Sequence, residues 1–127
     1  MSQIKAGNTK PEIAVRKLLY GMGYRFRLHD KNLPGKPDIV LRRHKRIILV
    51  NGCFWHGHPS CKRAKRPSTN VDFWNDKITR NIERDKLNIA LLKSKGWKIL
   101  VVWSCETSNR EHLREKLRRF MEYDETV

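Results

Sequence analysis

The chain has 127 residues, with 28 Lys and Arg against 13 Asp and Glu, which gives a formal net charge of +15. This length predicts one domain over residues 1–127 with a single modest core. The charge indicates a polyanionic partner, most simply nucleic acid, with a merely solubilised basic surface as the alternative. No stretch approaches the roughly 18 apolar residues of a membrane span, and the N-terminus lacks the apolar centre of a signal peptide. A cytoplasmic protein without a membrane partner is therefore expected.

The predicted elements follow the order α-β-β-β-α-β-α. Thr9 caps a first helix, and Gly21 and Gly23 end it. Alternating or continuous apolar residues predict strands over 24–28, 38–41, 46–51 and 98–103, and helical spacing predicts helices over 71–95 and 107–121. The first three strands have short connections and should form an antiparallel meander, whereas the fourth follows a helical crossover and should be parallel to its neighbour. The core side of the long helix is predicted to comprise Phe73, Ile78, Ile82, Ile89 and Leu92.

The loop after the third strand concentrates metal-binding side chains. Cys53, His58 and Cys61 lie within nine residues, and Cys105, which follows the fourth strand, is the remaining cysteine. Thiolate and imidazole groups suit tetrahedral Zn²⁺, and three cysteines in a reducing compartment favour metal binding over disulfides. The spacing predicts a closed, structural zinc site. The alternative is two buried cysteines beside a surface histidine.

A rigid Gly-Lys-Pro turn places Asp38 at the start of the second strand. In isolation, such an aspartate most often caps a turn. Here adjacent strand ends would bring it close to Val50, Asn51 and His56. A carboxylate, a backbone carbonyl and waters are suitable ligands for Mg²⁺, and such a metal on a basic protein suggests phosphodiester hydrolysis.

Two further residues have both a functional and a structural interpretation. The zinc site does not need His56, which could act as a general base near a hydrolytic metal or be a spare zinc ligand. Glu12 stands at the capping-box position of the first helix, and it could instead reach the water shell of the metal.

Aromatic and polar side chains near the loop suggest contacts with DNA. The aromatic residues either pack beneath the zinc or act as apolar wedges that enter a base stack; they are Phe54, Trp55 and Trp74. The polar residues share one face of the long helix and either meet solvent or contact phosphates; they are Lys77, Asn81 and Arg84.

Several motifs occur together in an order that resembles the very-short-patch-repair (Vsr) DNA mismatch endonucleases. They are NTKPE at 8–12, LPGKPD at 33–38, GCFWH at 52–56, FW at 73–74 followed by Lys77, Asn81 and Arg84-Asp85, and GW at 96–97 with VWSC at 102–105. The resemblance runs collinearly from about residue 4 to residue 106.

The resemblance implies an α/β fold of the restriction-endonuclease-like, PD-(D/E)XK type, with a central mixed sheet flanked by helices and a structural zinc site. It implies Mg²⁺-dependent nicking of double-stranded DNA on the 5′ side of the mispaired thymine in a T:G mismatch. Such mismatches arise when 5-methylcytosine deaminates. The expected setting is very-short-patch repair at the nucleoid, by a monomer that works with mismatch-repair proteins. Rival interpretations are a zinc-stabilised DNA-binding module without catalysis and a restriction or anti-phage nuclease of the same fold.

The resemblance also implies roles for individual residues. Asp38 matches the residue that holds catalytic Mg²⁺, together with a backbone carbonyl at Val50. His56 matches the general base, and Glu12 matches an acidic residue of the active site. Cys53, His58, Cys61 and Cys105 match the zinc ligands, and Phe54, Trp55 and Trp74 match the intercalating aromatics.

Around the metal-binding loop, the chain departs from the family pattern at two places. Where well-known members carry a Thr-His pair, this chain has Val50-Asn51, and asparagine hydrogen-bonds water but cannot accept a proton as histidine does. The second acid/base position is therefore altered, and more of the proton transfer is expected at His56. The spacing from His58 to Cys61 is also one residue longer than in the family pattern, which a zinc site should tolerate.

Overall fold

The structure, a computed structural model, describes residues 9–59 and 61–122, without the side chain of residue 63. Residue 8 of the NTKPE motif lies outside this range. Within the described residues, three α-helices and four strands follow one another in the predicted order: α1 Lys10–Gly21, β1 Arg27–Leu28, β2 Ile39–Leu41, β3 Arg46–Asn51, α2 Val71–Ser94, β4 Lys98–Trp103 and α3 Arg110–Glu122. Within these ranges no helix is long and apolar enough to cross a membrane.

The four strands form one mixed sheet in the order β1-β2-β3-β4. The β1-β2 and β2-β3 pairs are antiparallel, and β3 and β4 are parallel, as predicted from the lengths of their connections. β1 is shorter than the predicted strand 24–28. Its partner β2 has only three residues before a 3₁₀ turn begins at Arg42, and the N–H of Tyr24 donates instead to the carbonyl of Leu19 at the end of α1.

Helices cover both faces of this sheet. Alternate residues of β2 and β3 point to opposite faces, as strand geometry requires. One face packs against α1 and α3; its buried residues include Leu19, Ile39, Leu41, Ile48, Val102, Leu113 and Leu117. The other face packs against the end of α2 through Val40, Ile47, Leu92 and Trp97. The strand ends that carry the candidate site therefore project from a rigid, two-sided core.

The predicted core side of α2 is correct at its centre and wrong at its start. Ile78 and Leu92 are buried, and Ile82 and Ile89 are partly buried. Phe73 is 60% exposed and packs edge-to-face on Trp74 rather than into the core.

α3 begins at Arg110 rather than at the predicted residue 107, because a 3₁₀ turn, Ser104–Ser108, comes first. The carboxylate of Glu106 stabilises this turn. It accepts the N–H of Trp103 at 2.8 Å and the ammonium of Lys116, on α3, at 2.7 Å. The turn carries Cys105 to the edge of the metal-binding loop.

Candidate active site and metal centre

The four predicted zinc ligands lie together at the ends of β3 and β4. One donor atom from each of Cys53, His58, Cys61 and Cys105 falls within 4.8 Å of the other three. The Nδ1 of His58 and the Sγ of Cys105 are 3.5 Å apart. Bonds of about 2.0 Å to nitrogen and 2.3 Å to sulfur put the edge of a tetrahedral zinc site at roughly 3.5 Å. The donor set and its spacing therefore fit a tetrahedral divalent metal.

Neighbouring groups shift the pKa of two of these thiols and orient the imidazole. The hydroxyl of Ser104 donates to the Sγ of Cys53 at 3.1 Å and accepts the N–H of Cys53 at 3.2 Å. Burial alone would raise the pKa of the Cys53 thiol, but hydrogen bonds, first that of Ser104, lower it to about 6. Burial and the nearby sulfur of Cys53 raise the pKa of Cys105 to about 11. The ring of His58 stacks on Trp103 with centroids 4.1 Å apart, which fixes its orientation.

Asp38 occupies the position that the turn chemistry predicted, directly before β2. Its Oδ2 accepts the backbone N–H of Val50 from β3 at 2.8 Å. Burial raises the pKa of Asp38 to about 6, although the Val50 hydrogen bond opposes the rise, and the charge of Glu12 adds to it. A cation at Asp38 would offset the energy of holding two carboxylates close together in a partly desolvated place.

The carboxylate of Glu12 points into the molecule rather than back along α1. Glu12 is 2% exposed. Its oxygens accept from the guanidinium of Arg16 at 3.0 Å and lie 2.9 and 3.1 Å from the Nε2 of His29. The N–H of Glu12 meets the Thr9 hydroxyl at 3.4 Å, so Thr9 is the predicted N-cap. The sequence interpretation did not include His29 in the site, because nothing in its local pattern separates it from an ordinary loop residue.

His56 and the strand ends line a cleft of about 150 Å³ beside Asp38. Asp38, Val50 and Asn51 are on one side, and Asp85 of α2 is on the other. The Nδ1 of His56 lies 2.5 Å from the Oδ2 of Asp85. In a neutral ring, this contact with a carboxylate favours the hydrogen on Nδ1 and the lone pair on Nε2. Asn51 is 8% exposed and also lines the cleft, so the predicted group of Asp38, Val50, Asn51 and His56 is brought together.

Asp85 is a site residue that the sequence interpretation left without a role. Its signal was its place on α2, four residues after Asn81, on the polar face that Lys77, Asn81 and Arg84 were predicted to share. The loop opposite is fitted closely to this helix. A Cβ on Gly35, whose φ is +77°, would lie 2.7 Å from the Nδ2 of Asn88.

The predicted aromatic residues form one cluster above the metal-binding loop. The ring centroids of Phe54, Trp55 and Trp74 are 5.1 to 5.8 Å apart, and Phe73 extends the cluster. The side-chain amide of Asn81 donates to the carbonyl of Trp55 at 2.9 Å.

Two predicted cations, Lys77 and Arg84, lie on α2, the helix that also carries Trp74. The Nζ of Lys77 lies 5.9 Å from the centre of the Trp55 ring, and Arg84 is exposed farther along the helix. Lys77 therefore adjoins the aromatic cluster on the surface.

Known proteins are similar to this chain in sequence or in fold. The family model described as "DNA mismatch endonuclease Vsr" matches residues 1–63. The DNA mismatch endonuclease Vsr of Escherichia coli is 40% identical over 116 residues, which is 91% of this chain and 74% of that protein. This chain belongs to the Vsr family of DNA mismatch endonucleases. A second member, the type II nicking enzyme V.NmeAIP of Neisseria meningitidis serogroup A, is 47% identical over 121 residues, covering 95% of this chain and 86% of the relative.

A solved structure agrees with the fold. The catalytic domain of the homing endonuclease I-Bth0305I superposes with a TM-score of 0.58 at 22% identity, over 89% of this chain and 94% of that domain. The chain thus has the predicted mixed sheet flanked by helices, in a fold that resembles that of an endonuclease domain. As a member of the Vsr family, it is a DNA endonuclease. Such a nuclease fold implies a divalent metal, and the Asp38 carboxylate, a potential metal ligand, lines the cleft.

Proposed function

We propose that this Vsr-family enzyme nicks one strand of double-stranded DNA at T:G mismatches, with Mg²⁺ at Asp38, in very-short-patch mismatch repair. The observation that carries the proposal is the meeting of two groups in one cleft: the Asp38 carboxylate and a histidine paired with a second carboxylate. An aromatic cluster stands on the same loop as that histidine. These are the groups that metal-assisted hydrolysis at an opened base stack requires.

Each residue of the cleft has a role in this reaction. Asp38 and the carbonyl of Val50 would hold Mg²⁺, which supplies a more acidic water and neutralises charge on the phosphate. His56 accepts the proton of the attacking water at Nε2, and Asp85 stabilises the positive charge that the ring then carries. Asn51 hydrogen-bonds water at the cleft wall without accepting a proton. Glu12 would act through the water around the metal.

The aromatic cluster supports recognition of a mismatch. Phe54, Trp55 and Trp74 present apolar rings beside the cleft, and a wedge between base pairs meets the least resistance where pairing is already weak. The hydrogen bond from Asn81 holds the Trp55 backbone against α2. Lys77 and Arg84 would contact phosphates from the same helix.

The Cys/His cluster would bind Zn²⁺ in a structural role. A site with four protein ligands leaves no open position for substrate. Cys53, His58 and Cys61 belong to the loop that bears Trp55 and His56, and Cys105 belongs to the turn after β4. The metal would therefore hold the catalytic and aromatic residues at a fixed distance from the sheet.

Nicking of matched duplexes that differ only in a T:G or T:A pair tests the proposal. With Mg²⁺, we expect the wild-type chain to nick only the T:G duplex, and Asp38→Ala to abolish nicking while DNA is still bound. Equal cutting of both duplexes would favour a nuclease of the same fold with another substrate, in keeping with the nicking enzymes among its relatives. No cutting by the wild type with any divalent metal, despite DNA binding, would favour a binding module and implicate Asn51.

The setting of the reaction follows from its substrate. We expect the enzyme to work in the cytoplasm at the nucleoid, because mismatches in chromosomal DNA arise there. Cutting one strand needs one active site, so we expect a monomer, together with mismatch-repair proteins that process the nick. Sedimentation of the chain with and without a T:G duplex would measure the stoichiometry.

A further inference from the structure

Asp38 and two other side chains form a second group of potential metal ligands. Glu12, His29 and Asp38 each offer one donor atom, and these atoms lie within 4.8 Å of one another. Of the three, only Asp38 lines the cleft that contains His56. The Asp38 carboxylate is therefore shared between the cleft and this group. Nothing in the proposed reaction uses His29.

The backbone holds His29 in register with Asp38. His29 directly follows β1, and its N–H donates to the carbonyl of Asp38, directly before β2, at 3.1 Å. Its φ is +48°, a left-handed conformation that residues other than glycine adopt rarely and that clusters at functional sites. The Nε2 of the ring then reaches the carboxylate of Glu12, 17 residues earlier, while the side chain stays 24% exposed.

The spacing of these atoms suits an octahedral cation. Metal–ligand bonds of about 2.1 Å give neighbouring ligands a separation of roughly 3.0 Å. The Nε2 of His29 lies 2.9 and 3.1 Å from the two oxygens of Glu12. A hydrogen bond between His29 and Glu12 also explains these distances. The role of hydrogen-bond partner and the role of metal ligand differ in whether the lone pair of the His29 Nε2 binds a metal. An imidazole ligand shifts preference away from Mg²⁺, which favours oxygen, towards transition metals.

We propose that His29 is a nitrogen ligand of the cation at Asp38, with Glu12 beside it, and that it makes the site prefer Mn²⁺ to Mg²⁺. The inference deepens the proposed function, because it concerns the cation that the nicking reaction would use. Arg16 provides the contrast within the structure. Its guanidinium also donates to Glu12, at 3.0 Å, but it has no lone pair for a metal.

The test uses Mn²⁺ alone on the full chain, loaded with zinc and free of DNA. Pulsed electron paramagnetic resonance detects the coupling of Mn²⁺ to a coordinated imidazole nitrogen. We expect this coupling in the wild type, in Arg16→Gln and in His56→Gln, and its loss in His29→Gln. Loss of the ligand should weaken Mn²⁺ binding about 10-fold or more. Mg²⁺ affinity, measured by competition, should change by less than about threefold, because oxygen ligands remain.

A second measurement needs no substitution. When the wild-type protein is produced with ¹⁵N-labelled histidine, the nitrogen coupling to Mn²⁺ should change to that of ¹⁵N. This change identifies a histidine ligand even if His29→Gln folds poorly. Coupling that survives in His29→Gln, coupling lost in His56→Gln, or no Mn²⁺ binding to the wild type would overturn the inference. None of these results would change the outcome of the nicking assay, so none of them would decide the proposed function. Conversely, Asp38→Ala that still nicks T:G duplexes would overturn the proposed function, whatever Mn²⁺ shows.

Discussion

Replacing Asp85 by asparagine separates the orientation of His56 from the presence of its ring. The substitution keeps the size of the side chain but removes the charge 2.5 Å from Nδ1. The asparagine amide can donate to Nδ1, which would leave the ring hydrogen on Nε2, where the base needs a lone pair. Asp85→Asn should therefore impair the proton transfer while DNA binding stays intact.

The size of the effect follows from the contact. A hydrogen bond to a charged group contributes about 1.5–3 kcal/mol, and one tenfold change in rate corresponds to about 1.36 kcal/mol. Loss of the bond alone thus predicts a fall of about 10- to 150-fold. Loss of general-base catalysis as well would extend the fall to about 10⁴-fold. Both side chains are less than one third exposed, at 29% and 27%, so solvent weakens the contact only in part.

The assay is single-turnover nicking of a T:G duplex with saturating enzyme, which reports the chemical step. Asp76→Asn is the matched control, because Asp76 is on the same helix but pairs with Arg80 at the exposed surface, and it should change the rate by less than about twofold. Asp85→Asn combined with His56→Ala should be no slower than His56→Ala alone, since the residues act as one unit. A multiplicative loss in the double variant, or a fall below threefold for Asp85→Asn, would refute the orientation argument.

Three further predictions concern metal, protons and backbone. Cys61→Ser should lower the bound zinc below one ion per chain and lower the melting temperature, because only three of the four ligands remain. Metal analysis measures the zinc content, and calorimetry measures the melting temperature. An unchanged zinc content would contradict the proposed zinc site. The pKa of Asp38 is raised from 3.8 to about 6 in the folded protein. The folded protein therefore binds this proton more tightly than the unfolded chain does. As the pH rises from about 4 past 6, the ionised carboxylate destabilises the metal-free fold. Asp38→Asn should therefore stabilise the protein without the catalytic metal by up to about 3 kcal/mol at pH 7 and hardly at pH 4; urea titrations that show a pH-independent gain would reject this. Gly35→Ala should destabilise by about 1–3 kcal/mol, since φ is +77° and the new methyl group would meet Asn88. Asn88→Ala in the same chain should remove the two shortest contacts, with Nδ2 and Cγ, but neither the 3.1 Å contact with the Cβ of residue 88 nor the backbone cost.

Local sequence was sufficient for much of this protein. Strand and helix periods predicted the order of the elements, and the lengths of the connections predicted which strands are antiparallel and which are parallel. The metal-binding cluster was also predictable from the sequence. Cys53, His58 and Cys61 lie close together in the loop after β3, and Cys105 follows β4, the strand that pairs with β3. Asp38 was found from the turn that precedes it and from the neighbouring strand end.

The pairings that give the site its chemistry depend on tertiary structure. His29 meets Glu12 across 17 residues, and His56 meets Asp85 across 29. In the sequence, the partners His29 and Asp85 are ordinary polar residues of a loop and a helix face. The exposure of Phe73 was also decided by tertiary structure, since the helical spacing predicted a core position but the side chain is 60% exposed. Periodicity reports which side of an element is apolar. Only the packed arrangement of helices on the sheet decides which side chains come within hydrogen-bonding distance, and therefore which carboxylate orients which histidine.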